Sequence, residues 1–108
     1  MIKQPSSELL DAMKLAATQT STLLKTLGNS DRLLLLCQLT QGEACVSDLE
    51  TSLGIQQPTL SQQLTVLRNE GLVATRRDGK RIYYTIADEK LLILLNTLYT
   101  LYCPKEGN

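Results

Sequence analysis

The stretch VSDLETSLGIQQPTLSQQLTVLRNEGLV, Val46 to Val73, constrains this chain more than any other. A helix-compatible segment from about Val46 to Leu53 is stopped at Gly54, and a second restarts with Pro58, whose fixed φ suits a first helical turn. Two short helices joined so closely bury their apolar faces by crossing one another, which is the helix-turn-helix pattern. Within the second helix Leu60, Leu64 and Leu67 recur at i, i+4 and i+7 and therefore face a core. That leaves Gln57, Thr59, Ser61, Gln62 and Thr65 on other faces, all with side chains that both donate and accept hydrogen bonds.

Beyond Gly71 the period changes. LVATRR and KRIYYTI, on either side of Asp78-Gly79, read as two strands around a tight turn. Upstream, NSDRLLLLCQLTQG offers a capping residue at Asn29 or Ser30, an acid in the first turn at Asp31 and a stop at Gly42. Residues 6–27 repeat Leu9, Met13, Ala16, Ala17, Thr20, Leu23, Leu24 and Leu27 at helical spacing, and Gly28 ends them. ADEKLLILLNTLYTLYC returns to helix, with Asp88 as cap and Pro104 just past the end. Leu91, Leu95, Leu98 and Tyr102 form one apolar stripe on it, and Leu92, Tyr99 and Cys103 form another. A helix apolar on more than one side needs more than its own small domain to cover it. At 108 residues the chain is also short for a self-sufficient core. The expectation is a mainly α fold with a small β-hairpin: one winged helix-turn-helix domain over 1–108, four helices, two strands and a last helix. Its terminal helices, about 6–27 and 88–103, are expected to form a homodimer.

Composition narrows the function classes. Net charge is zero, but residues 55–86 carry Arg68, Arg76, Arg77, Lys80 and Arg81 against Glu70 and Asp78, a local surplus of plus three. A basic strip on a neutral protein can track phosphates. The first residues lack a continuous apolar h-region, and the longest apolar run, Leu91 to Leu95, falls far short of the roughly 20 residues that cross a bilayer. No membrane contact is expected, and the reading is cytoplasmic. Three cysteines, Cys37, Cys45 and Cys103, argue against a structural disulfide framework and raise the alternative of reactive thiols. With no histidine and no CxxC, a catalytic cysteine would lack its usual activators, so no enzyme activity, catalytic residue or cofactor is expected.

A helix-turn-helix followed by a basic hairpin reads as a winged helix, whose second helix enters the major groove while the hairpin reaches the neighbouring backbone. Gln57, Thr59, Ser61, Gln62 and Thr65 are the candidates for base edges, and Arg76, Arg77, Lys80 and Arg81 for phosphates. A two-fold dimer implies double-stranded operator DNA with an inverted repeat. A helix-turn-helix used only for protein contacts is the competing reading.

The run EACVSDLETSLGIQQPTLSQQLTVLRNEGLVATRRDGKRIYYTI resembles the core of the ArsR/SmtB family of bacterial dimeric winged-helix repressors. The resemblance extends from about Leu23 to the end of the chain, and implies that an inducer releases the protein from operator DNA. Members differ in where the inducer sits. A zinc site on the last helix would need carboxylates and histidines of which this chain supplies only Asp88, so no metal site of that kind is expected. An arsenic-type site would read CVC, whereas Cys45-Val46-Ser47 stands here, and Cys45 reads better as a small packed residue at a helix start. Cys37 and Cys103 match the cysteine pair of the sulfide- and persulfide-responsive branch, the BigR/SqrR/HlyU type. The resemblance thus implies a redox-sensing dithiol of Cys37 and Cys103 answering reactive sulfur species or oxidants. A thiolate-based soft-metal or arsenite sensor, with Cys45 recruited, is the alternative. Since the thiolate is the attacking form, at least one of the pair is expected to have a lowered pKa.

Overall fold

The computed structural model describes residues 3–104. In chain order the elements are α1 (Ser7–Leu27), α2 (Ser30–Leu39), β1 (Ala44–Cys45), α3 (Val46–Leu53), α4 (Thr59–Asn69), β2 (Val73–Asp78), β3 (Arg81–Ile86) and α5 (Glu89–Tyr102). Helix starts follow the capping chemistry. Ser6 Oγ accepts from the Leu9 N–H, Asn29 Oδ1 from Arg32 and Asp88 Oδ1 from Lys90, each satisfying a donor that its helix leaves unpaired. Gly54 closes α3 at φ +69°, a left-handed conformation that a side chain would strain.

α2 is the centre of the protomer. Its Leu35 and Leu36 are fully buried, joined by Leu49 of α3, Leu60, Leu64 and Leu67 of α4, and Leu91 and Leu95 of α5 in one cluster. The period of four and three read for α4 is therefore the face that seats the helix-turn-helix on α2. Tyr84 and Ile86 of β3 pack against the same cluster, holding the sheet to it.

Three details depart from expectation. The sheet has three strands in the order β1-β3-β2, all antiparallel, because Ala44 and Cys45 pair with Tyr84 and Tyr83. The hairpin loop is Gly79-Lys80, closed by the Asp78 and Arg81 pair, rather than Asp78-Gly79. Positive φ is confined there to Gly79, the pattern of a II′ turn with glycine first. The apolar stripes also divide differently. Leu91 and Leu95 belong to the protomer core, so a charge at Leu95 would disrupt the fold rather than test an interface. The exposed apolar positions of α5 are Ile93, Tyr99, Leu101 and Tyr102. On α1 only the last turn is buried, while Leu9, Leu10, Met13, Leu15 and Leu24 are exposed. No described helix is long and apolar enough to cross a membrane.

Candidate nucleic-acid interface and thiol cleft

With Leu60, Leu64 and Leu67 turned inward, α4 presents Ser61, Gln62 and Thr65 to solvent, and Gln57 is exposed just ahead of it. Thr59 is half-buried. Two of these side chains are partly engaged. Gln57 Oε1 accepts from the Ser61 N–H at 3.1 Å, acting as a cap and leaving its amide hydrogens free. Thr65 Oγ1 donates to the Ser61 carbonyl at 2.8 Å, so the hydroxyl's remaining capacity is as an acceptor. Ser61 and Gln62 make no side-chain hydrogen bond among the described residues and have full capacity for another molecule. Gln63 points the other way: its Oε1 accepts from Arg32 Nη1 at 3.0 Å, while Arg32 Nε donates to the Thr26 carbonyl at 2.7 Å.

The basic hairpin is not uniform. Arg76 is ion-paired with Glu43, through both Nε and Nη2, and its guanidinium carbon lies 4.6 Å from the centroid of the Tyr83 ring. That hydrogen-bonded guanidinium holds the Glu43 carboxyl below its ordinary pKa. Arg76 thus braces β2 against the residues before β1. Arg77 and Lys80 are exposed and make no protein hydrogen bond among the described residues. Lys80 and Arg81 line a shallow depression with Cys45, Val46, Ser47 and Ile82, which brings the tip of the hairpin beside the start of α3.

Cys45 is 3% exposed. Its Sγ donates to Asp48 Oδ2 and lies equally close, 3.2 Å, to Ser47 Oγ, and its N–H also donates to Asp48 Oδ2. The thiol and amide together pull the Asp48 carboxyl below its ordinary pKa. This is a helix-start cap built into the sheet edge. The other two thiols meet elsewhere. Half-buried Cys37 of α2 and exposed Cys103, the residue that ends α5, line one cleft of about 380 Å³ with Ser30, Leu33, Leu34, Gln38, Gln41 and Tyr99. Burial pushes the Cys37 thiol above its ordinary pKa, and the neighbouring Cys103 adds to the rise. A lowering was expected for at least one of the pair, and Cys37 is not that one: its cleft is mostly apolar and none of the residues lining it is a cation. Among the described residues no group of three or more Cys, Asp or Glu stands close enough to hold a metal ion.

Sequence reasoning missed Arg32, Gln63, Glu43 and Asp48. A charged residue inside SDRLLLL was a signal for Arg32, but its acceptors lie on two other helices that periodicity cannot align.

Comparison with known proteins now decides the family. The model of the bacterial regulatory protein arsR family matches residues 29–75. The biofilm growth-associated repressor of Agrobacterium fabrum is 50% identical over 99 residues, spanning 92% of this chain and 85% of that protein. The chain belongs to the ArsR family. The crystal structure of the transcriptional repressor BigR from Xylella fastidiosa superposes with a TM-score of 0.81 at 47% identity, covering 88% of this chain and 97% of that one. Reduced HlyU from Vibrio cholerae also gives 0.81, at 34% identity over 86% of this chain and 98% of the other. The fold is therefore the winged helix-turn-helix of ArsR regulators, with the third strand as part of its small sheet.

The cleft geometry orders the thiols. Iodoacetamide at neutral pH is expected to alkylate exposed Cys103 first, Cys37 more slowly because burial keeps it protonated, and Cys45 last. Peptide mass spectrometry over a time course checks the order; Cys45 reacting ahead of Cys103 would contradict it.

Proposed function

We propose that this ArsR regulator is a dimeric repressor that leaves its operator when Cys37 and Cys103 become joined through sulfur. The observation that carries the reading is that, of three thiols, the two that line one cleft lie on α2 and at the end of α5, the helices that support α4 and carry the exposed apolar face. Relatives named as repressors, and a relative whose structure was obtained in reduced form, support it.

The chemistry balances with a persulfide as the sulfur donor. The Cys103 thiolate attacks the outer sulfur of R–S–SH, forming Cys103–S–SH and releasing RSH. Attack by Cys37 on the inner sulfur of that persulfide then expels hydrogen sulfide and closes a disulfide, the two cysteine thiols being oxidised and the donor reduced. A second donor molecule would instead leave a trisulfide, again with RSH and hydrogen sulfide as products. A disulfide needs Cα atoms within about 7 Å. A longer sulfur bridge relaxes that requirement, a physical basis for answering reactive sulfur more readily than peroxide.

On the DNA side, Gln57, Thr59, Ser61, Gln62 and Thr65 are assigned to base edges, with Ser61 and Gln62 the freest. Arg77, Lys80 and Arg81 are assigned to phosphates; Arg76 would add its charge from its place against Glu43. Dimerisation follows from α1 and α5. Leu9, Met13, Leu24, Ile93 and Leu101 are each more than half exposed on one protomer. An apolar surface of that extent is ordinarily covered. A two-fold axis through it sets two reading heads on an inverted repeat.

Cys37→Ser and Cys103→Ser are each expected to bind operator DNA as the wild type does and to stay bound on treatment with polysulfide, whereas Cys45→Ser releases normally. Gel-shift assays check this, and an unresponsive Cys45→Ser with responsive Cys37→Ser would hand the case to a soft-metal or arsenite sensor. For DNA, replacing Lys80 and Arg81 by Ala should weaken binding to all sequences and flatten the salt slope by about one unit per lost contact, while Gln62→Ala relaxes sequence preference at about 1–3 kcal/mol. An unchanged slope in the wing variant would remove the phosphate assignment. For the dimer, Ile93→Glu should leave a folded monomer in analytical ultracentrifugation; a monomeric wild type at micromolar concentration would count against the assembly.

A further inference from the structure

We propose that Arg32 is the positioning residue that couples the state of the thiol pair to the orientation of the reading helix. This rests on the Cys37/Cys103 reading above. Among the described residues, two side-chain hydrogen bonds cross from one helix to another, and both belong to Arg32. Its Nε donates to the Thr26 carbonyl of α1 at 2.7 Å, and its Nη1 donates to Gln63 Oε1 of α4 at 3.0 Å. The Arg32 backbone N–H is fixed as well, donating to the Asn29 cap. Thr26, buried at 6% exposure, lies in the last turn of α1, where carbonyls lack an intrahelical donor. Gln63 sits between Gln62, which faces solvent, and Leu64, which faces the core.

The placement matters because of what else α2 carries. Cys37 is about one and a half turns further along the same helix. Leu35 and Leu36, fully buried between the two, tie α2 into the core, so a pull at Cys37 reaches Arg32 as movement of the whole helix rather than as local bending. Contact between the leucines of α2 and α4 has no preferred direction and tolerates small sliding. A planar guanidinium with its N–H groups in a fixed fork does not. Arg32 therefore converts the position of α2, relative to α1, into an angle of α4. Gln63 is the acceptor through which α4 receives it.

The test uses the full chain and DNA selected from a random pool by the reduced wild-type protein, with inorganic polysulfide as the modifying agent. Gln63→Leu removes the acceptor on α4 and leaves the Arg32 bond to Thr26. For the wild type the ratio of operator affinities, reduced over cross-linked, is expected to be roughly tenfold or more, within the usual range of allosteric coupling, and for Gln63→Leu about threefold or less, below it. Cross-link yield and the melting temperature of the reduced protein should stay at wild-type values, which a merely structural role for the bond would not predict. Gln63→Glu, which keeps an acceptor and adds a charge, should preserve the ratio. A wild-type ratio in Gln63→Leu overturns the proposal. A wild type that forms the cross-link yet keeps its affinity overturns the switch reading and this proposal with it, while leaving the Gln63 comparison flat in every protein. Should Gln63→Leu fail to fold, the Arg32 Nε–H resonance of the wild type decides: cross-linking is expected to shift it or speed its exchange with solvent, and an unmoved resonance overturns the coupling.

Discussion

The burial of α2 is the constraint on which the other elements depend. A helix of ten residues, Ser30–Leu39, is contacted by α1, α3, α4, α5 and β3, and only the side that lines the thiol cleft, with Ser30 and Leu34 exposed, is left open. Its core residues are leucines, as are most of their partners, in a chain without phenylalanine or tryptophan. Leucine packing supplies cohesion but little direction, so orientation among the helices falls to the few polar contacts that cross between them. That is why Arg32 carries weight beyond its single position. A thiol placed on this helix is placed where displacement has nowhere to dissipate.

Electrostatics is divided by the same logic. Arg76 and Glu43 face water, with Tyr83 beneath the guanidinium, and in water an exposed pair adds little stability by itself. Its effect is geometric: it holds β2 to the residues before β1 while Cys45 and Asp48 hold β1 to α3. The hairpin is thereby tied through β1 to the start of the helix-turn-helix, leaving Arg77 and Lys80 exposed. A wing held at a fixed angle keeps its cations at one distance from the reading helix, which a free hairpin would not.

Much of the architecture was legible in the sequence because caps and periodicity are local. Residues 6–27 were expected for the first helix and Ser7–Leu27 is found; Val46 to Leu53 was expected and is found unchanged. β1 was not legible, since two residues, Ala44 and Cys45, are too few to show an alternation and owe their conformation to a partner about forty residues away. The hairpin loop moved by one residue because only Gly79 takes positive φ, so Asp78 stays in the ladder. At the candidate site the residue types were readable and their partners were not. Composition put Arg76 among the cations for phosphates, and Glu43 claims it; thiolate chemistry asked for a lowered pKa on at least one of the pair, and burial raises that of Cys37.

The size of the required signal fits the device. A hundredfold loss of operator affinity corresponds to about 2.8 kcal/mol. One hydrogen bond from a charged, half-buried donor contributes about 1.5–3 kcal/mol, and in a two-fold dimer it occurs twice. Weakening each Arg32–Gln63 bond by half would therefore supply about 1.5–3 kcal/mol, a loss of roughly tenfold to a hundredfold, without unfolding α4 or parting the protomers. The rest of the helix-turn-helix core, Leu49, Leu60, Leu64 and Leu67, could keep its packing throughout. A switch of this kind spares the core because it acts on the direction of α4 and leaves the area that α4 buries unchanged.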